Sequence, residues 1–188
     1  PDDAMTQEHD IHEVLDYWFS PRISKRWFAS TPALDDEIRA RYEALWRRAA
    51  AGELDDWAAT PEGALALAIV LDQLPLNMYR GKPAAFASEQ QAVAVARQAV
   101  ARGDDQRLPR DRVLFLYMPL MHSENLADQD QSVALFQRAG LADNLRFAEH
   151  HRGLVRRFGR FPHRNAILGR DSTPEEIAYL ASPEAFKG

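Results

Sequence analysis

Thr60-Pro-Glu-Gly-Ala-Leu-Ala-Leu-Ala-Ile-Val-Leu-Asp-Gln-Leu-Pro75 is apolar on almost every side between its two ends. Thr60 followed by Pro61 reads as a helix start. A threonine hydroxyl accepts from first-turn amides, and a proline there has a preset φ and no amide left unsatisfied. Ala64, Leu65, Leu67, Ala68, Ile69, Val70 and Leu71 leave no polar face. A helix that is hydrophobic all round belongs in the interior of a protein, so this is the expected central helix. Pro75 is expected to end it.

The segments outward from this helix also carry helical periodicity. Ile11, Val14, Leu15, Trp18 and Phe19 repeat at three-four spacing until Ser20-Pro21 stops them. Trp27 and Phe28 fall in a short turn or helix. Leu34, Ile38, Tyr42, Leu45, Trp46 and Ala49 form a second stripe ending at Gly52. Ser88 is read as the cap of a helix carrying Ala92, Val93, Ala96, Ala99 and Val100, closed by Gly103.

Residues 113–121 are a solid apolar run that periodicity alone would allow as a strand. No partner strand is apparent elsewhere, so a helix disturbed at Pro119 is expected. Residues 129–139 follow with Val133 and Phe136 inward. Residues 141–158 then align Leu145, Ala148, His151, Leu154, Val155 and Phe158 on one face. Thr173-Pro-Glu-Glu176 spells a capping box for a last helix through Ala181. About eight helices joined by short loops imply an all-α chain of antiparallel neighbours. One helical domain spanning 1–188 is expected, with residues 1–8 disordered.

Composition narrows the function classes. The chain has 188 residues, 46% hydrophobic and 27% charged, as in an ordinary globular domain. A net charge of -5 argues against broad nucleic-acid binding, which needs uncompensated Lys and Arg. There is no cysteine, which removes disulfides, thiolate nucleophiles and zinc-thiolate sites and fits a reducing cytosol. No apolar run reaches membrane-spanning length. The acidic, polar start is unlike a signal peptide. Neither a cofactor nor a metal is expected, and nothing in the sequence sets the oligomeric state.

Three motifs stand in order: Leu71-Asp-Gln-Leu-Pro-Leu-Asn-Met-Tyr-Arg-Gly81; Leu120-Met-His-Ser-Glu124 with Asp128-Gln129; and Phe158-Gly-Arg-Phe-Pro-His-Arg-Asn165 with Leu168-Gly-Arg170. Together they resemble a bacterial family known only as domain of unknown function nine-two-four. The resemblance runs from Val14 to about Phe186. It implies an all-helical fold like the tetratricopeptide (TPR-like) stack, in a right-handed superhelical array of hairpins, and it implies no activity. One position departs from the family pattern: Leu76 stands where an arginine usually follows the proline.

The polar residues of these motifs are the candidate site. Asp72, Gln73, Asn77 and Arg80 lie at or beyond the end of the central helix. Either they face a cleft, or Asp72 pairs with Arg80 or another Arg and the amides tie down the turn. His122 and Glu124 flank Ser123 in a turn, where they could form an acid-base pair or simply hydrogen-bond the fold. The ligand count of a zinc site and the cysteines of a zinc deaminase are missing. Asp128 is read as a helix cap, with Gln129 pointing inward. His151 sits on a core seam.

Arg157, Arg160, His163, Arg164 and Asn165 form the densest constellation. Several guanidiniums in one place require acids or an anionic ligand between them. Asp72 and Glu124 are the expected acids for a buried network. The alternative is a pocket for a carboxylate or phosphate. Phe158 and Phe161 among arginines also fit an RNA-binding pattern, against the overall charge. The expectation is a binding module for a small anion or a peptide carboxylate. The alternatives are an enzyme on a small anionic substrate, with Glu124 or His122 as acid-base group, and a purely structural cluster.

Overall fold

Thr60 begins the central helix as read: its Oγ1 accepts from the Gly63 amide at 3.0 Å. The computed structural model describes residues 2–188, and every regular element among them is helical. In chain order these are α1 (Asp2–Trp18), α2 (Pro21–Ser24), α3 (Pro32–Ala50), α4 (Pro61–Ala68), α5 (Leu74–Met78), α6 (Glu89–Ala101), α7 (Arg110–Met121), α8 (Leu126–Arg138), α9 (Ala142–Phe158), α10 (Asn165–Leu168) and α11 (Pro174–Leu180). The stretch expected to be disordered is helical from Asp2 onward, and Pro1 lies outside the described residues. The chain resolves into two compact units. One holds residues 1–80 and 84–119; the other holds 81–83 and 120–188.

In the first unit α4 is buried along its length, from Gly63 to Ala68, and packs against α1 and α6. The approach to the preceding 3-10 turn, Asp55–Ala59, is so close that a Cβ on Gly63 would stand 1.9 Å from the Trp57 carbonyl oxygen. Beside this core Trp18 and Trp27 stack, and Phe115 meets both edge-on, with the Trp27 and Phe115 centroids 4.6 Å apart.

Pro75 does not end the helix, contrary to expectation. Between α4 and α5 the chain makes a π turn, Ile69–Gln73, in which the Leu74 amide reaches back to the Ile69 carbonyl. The wider turn accommodates a proline that has no amide of its own to donate. It carries Asp72 and Gln73 into buried positions. Ser88 also departs from its expected role. Its hydroxyl makes no cap bond; it donates to the Leu71 carbonyl at 2.6 Å and accepts from Trp46 Nε1 at 2.9 Å.

In the second unit α8 and α9 pack against each other and are joined by a tight turn at Gly140, whose φ of 68° suits a residue without a side chain. The short turn makes the pair antiparallel. The α8 helix starts earlier than expected, and its cap is Asn125, whose side chain accepts from the Asp128 amide. Asp128 is not the cap; its carboxylate accepts from the Ser123 hydroxyl at 2.6 Å. Ala148, His151, Leu154 and Val155 are buried along α9, on the stripe read from the sequence. Gly159 (φ 73°) turns the chain out of α9 and into the 3-10 turn Pro162–Arg164. Leu154, Val155, Phe161 and Tyr179 form the core there, with Phe158, Leu180, Ala185 and Phe186 against it.

Candidate functional site

Glu124, in the turn between α7 and α8, is the anchor of a polar lattice in the second unit. Arg170 grips both of its carboxylate oxygens, at 2.8 and 3.0 Å, and the Phe161 amide donates a third bond at 2.7 Å. Burial works against the charge on Glu124. The Arg170 and Phe161 hydrogen bonds and the Arg164 charge outweigh it, holding the carboxyl below its usual range. Arg170 also donates to Asn165 Oδ1 at 3.0 Å. The Asn165 amide in turn donates to Ser172 at 3.0 Å and to Glu176 at 3.3 Å. Glu176 receives both arms of Arg160, at 2.9 and 2.8 Å, and the Thr173 amide as a capping box. The Arg160 hydrogen bonds, aided by the Thr173 amide, lower its pKa to about 2.

The lattice thus runs Glu124–Arg170–Asn165–Glu176–Arg160 and straps the loop between α9 and α11 to the turn after α7. Its carboxylates stay ionised near neutrality with their oxygens engaged. Such groups orient a site; they are poorly suited to take up and release protons there.

Arg164 is 4% exposed; its Nη2 donates to the His122 carbonyl at 2.8 Å, and its guanidinium lies 4.9 Å from the centroid of the Phe161 ring. Around Phe161 stand imidazoles: His151 at 5.4 Å and His163 at 5.9 Å, with His122 6.3 Å from His151. His151 Nδ1 is 2.7 Å from the Phe147 carbonyl, so the proton sits on Nδ1 and Nε2 keeps a lone pair. Burial, with the nearby His122 adding to it, pushes the His151 pKa down to about 3. Burial and the Arg164 charge push His163 down to about 4. Both rings are neutral at pH 7. His163 Nδ1 is buried and has no hydrogen-bond partner.

Gln129 points inward as expected. Its Nε2 donates to the Met121 and Ser123 carbonyls at 2.8 and 2.6 Å, tying down the end of α7. Arg157 lies apart from the lattice on the surface, paired with Glu175 at 3.0 Å. Among the described residues no group of three or more His, Asp or Glu is arranged to hold a metal, and no helix is long and apolar enough to cross a membrane.

The remaining candidates belong to the first unit. Asp72, Gln73 and Asn77 are buried, and Arg80 is exposed. Gln73 donates to Asp72 at 3.0 Å. The acid that takes Arg80 is Asp35, at 2.8 and 3.2 Å, and not Asp72. Asn77 donates to the same Asp35 at 2.9 Å.

Sequence reading missed Asp35, Arg170, Glu176 and Phe186. Glu176 was visible only as the end of a capping box; its second partner, Arg160, lies 16 residues away. Arg170 stood within the densest motif, and its bidentate geometry could have been weighed against Glu124.

Comparison with known proteins places this arrangement in a family. A family described as "Bacterial protein of unknown function (DUF924)" matches residues 14–184. The chain is similar to a solved structure, that of the protein of unknown function ATU0120 from Agrobacterium tumefaciens. The two share 39% identity with a TM-score of 0.87, over 93% of this chain and 98% of that one. No curated protein matches the chain.

Proposed function

The chain belongs to the bacterial DUF924 family of unknown function, and we propose that it is a helical binding protein for small carboxylates or extended peptides. The observation that carries this reading is His163 Nδ1, a buried ring nitrogen without a partner beside the Arg164 guanidinium. A hydrogen-bond donor on a ligand would pair with that nitrogen, and a carboxylate on the same ligand would lie beside the Arg164 charge. His151, His163 and Arg164 are the contact residues in this reading. Glu124, Arg160, Asn165 and Arg170 position them.

The same reading takes the α8–α9 hairpin as one unit of a TPR-like stack in a right-handed array, a kind of fold whose helix pairs leave concave surfaces for peptides. An enzyme built on Glu124 is the less favoured alternative. A general base must be free to accept a proton, whereas Glu124 is held by Arg170 and the Phe161 amide.

Thermal unfolding in the presence of acetate, succinate, inorganic phosphate and short peptides with free carboxylates tests the proposal. A carboxylate or peptide should raise the Tm of the unaltered chain, and His163→Ala should abolish the rise while its circular dichroism stays helical. No response to any member of the panel would sink the binding reading. Turnover of an added ligand, lost in Glu124→Gln, would replace it with the enzyme.

A further inference from the structure

The segment after α11 places Phe186 against three imidazoles. Its ring lies 4.8 Å from His151, 5.0 Å from His163 and 6.1 Å from His150, with interplanar angles of 63°, 86° and 64°. Phe161 lies behind His151 and His163, only 1% exposed. Phe186 itself is half-buried and sits in a stretch with no regular structure. Its backbone amide donates to the Tyr179 hydroxyl at 2.8 Å.

This is how a peptide is held: one backbone group read by a side chain, and one ring read by a box. We propose that the box walled by His150, His151, His163 and Phe161 is a binding site for an aromatic side chain of a peptide, occupied in cis by Phe186 until such a peptide displaces it. The proposal rests on the peptide-binding reading above and names the side chain that the site takes.

The composition of the walls supports it. Leu154 and Val155 already supply aliphatic packing in the adjoining core. Burying imidazoles costs hydration that an aliphatic wall would not, as the lowered pKa values of His151 and His163 reflect. The neutral imidazoles of His151 and His163 offer ring edges and faces to a guest ring, and they retain nitrogen lone pairs. The occupant leaves one such capacity unused, because Phe186 has no polar atom on its ring and His163 Nδ1 has no partner. A tyrosyl ring carries the missing hydroxyl, so tyrosine is the preferred guest. The contrast in exposure between Phe161 and Phe186 separates a sealed core residue from one that can leave.

The test empties the box in the full chain with Phe186→Ala. Toluene and p-cresol are added as probes, together with the peptide of sequence 182–188 and its Phe186→Tyr version. Both rings should raise the melting temperature of the variant more than that of the unaltered chain, where they must displace Phe186, with p-cresol the stronger. The tyrosine peptide should bind the variant at least about tenfold tighter than the unaltered chain, whose box is filled. A folded variant that ignores both rings overturns the proposal, and so does equal affinity in variant and parent.

Should the variant fail to fold, p-cresol is titrated into the unaltered chain while the histidine ring proton resonances are followed. Joint shifts of His150, His151 and His163 support displacement of Phe186, and unshifted resonances overturn it. Ring binding without any response to carboxylates would uphold the box and remove the carboxylate reading. A response to carboxylates that Phe186→Ala leaves unchanged, with no ring binding, would do the reverse.

Discussion

Arg170 holds both oxygens of Glu124, at 2.8 and 3.0 Å, across 46 residues of chain. About three quarters of each side chain is out of solvent, with 25% and 24% left exposed. Removing one partner strands the other charge where water only partly reaches it. Arg170→Ala should therefore cost about 3 kcal/mol in urea unfolding, the lower end for a buried pair. Arg170→Lys should recover less than half of that loss, since an ammonium cannot make the paired contact. Equal stability of the alanine variant and the parent would show that the lattice contributes nothing to folding.

Gly63 stands where no side chain fits. A Cβ there would meet the Trp57 carbonyl at 1.9 Å, and backbone cannot swing aside as a flexible side chain can. Gly63→Ala should destabilise by about 3 kcal/mol, despite alanine's better helix propensity. Gly153, inside α9, has nothing within 4 Å of the same position, so Gly153→Ala should stabilise by roughly 0.5–1 kcal/mol. Opposite signs in paired thermal melts are the check; a stable Gly63→Ala would mean the 3-10 turn can move away.

Acid should destabilise the fold in two stages. The folded pKa values of His151 and His163, about 3 and about 4, lie below the ordinary 6.5. Between those limits the unfolded chain binds more protons than the folded one, so stability falls as pH falls. The slope should approach two protons per molecule near pH 5, each worth about 1.4 kcal/mol per pH unit. His151→Phe should remove about one of the two. Glu176, at about 2 against an ordinary 4.5, adds its own loss as pH drops through that lower window. Denaturant titrations from pH 7 to pH 4 giving a flat profile would contradict the burial of both imidazoles.

Gln129 satisfies the Met121 and Ser123 carbonyls with one amide nitrogen. Gln129→Leu leaves these carbonyls without that donor in the interior and should cost about 2–3 kcal/mol. Gln129→Glu should cost more at pH 7, where an ionised carboxylate would face carbonyl oxygens, and less near pH 4, where it can donate. A pH-independent difference between the two variants would argue that the side chain rotates away.

Much of the helical pattern was legible because burial has a period. The α9 stripe and the unbroken apolar run of α4 announce their own inner faces. Local rules failed where two local solutions compete. Asp128 and Asn125 are both good caps, and the sequence alone did not favour the residue three positions earlier. Pro75 breaks an α-helix, but a π turn upstream lets the chain continue. Pairing of charges was least legible. With 28 acidic and 23 basic residues, nothing local indicates that Arg80 belongs to Asp35, 45 positions away. The identity of the motif residues was readable, while their partners depend on tertiary geometry.

The wide turn at Ile69–Gln73 has a bearing on how the chain tolerates length changes. A π turn is a helix that has absorbed one surplus residue without breaking. Excising a single residue from it would restore ordinary α geometry and keep the downstream facing, because the wider turn already takes up the roughly 100° that one residue adds to an α-helix. Asn77 and Arg80 would stay on the side that meets Asp35. A deletion elsewhere in the helix has no such slack and would swing both away from Asp35 by that angle. The turn is therefore where the helix stores spare length, and a deletion there would be felt as a local tightening rather than a change of facing.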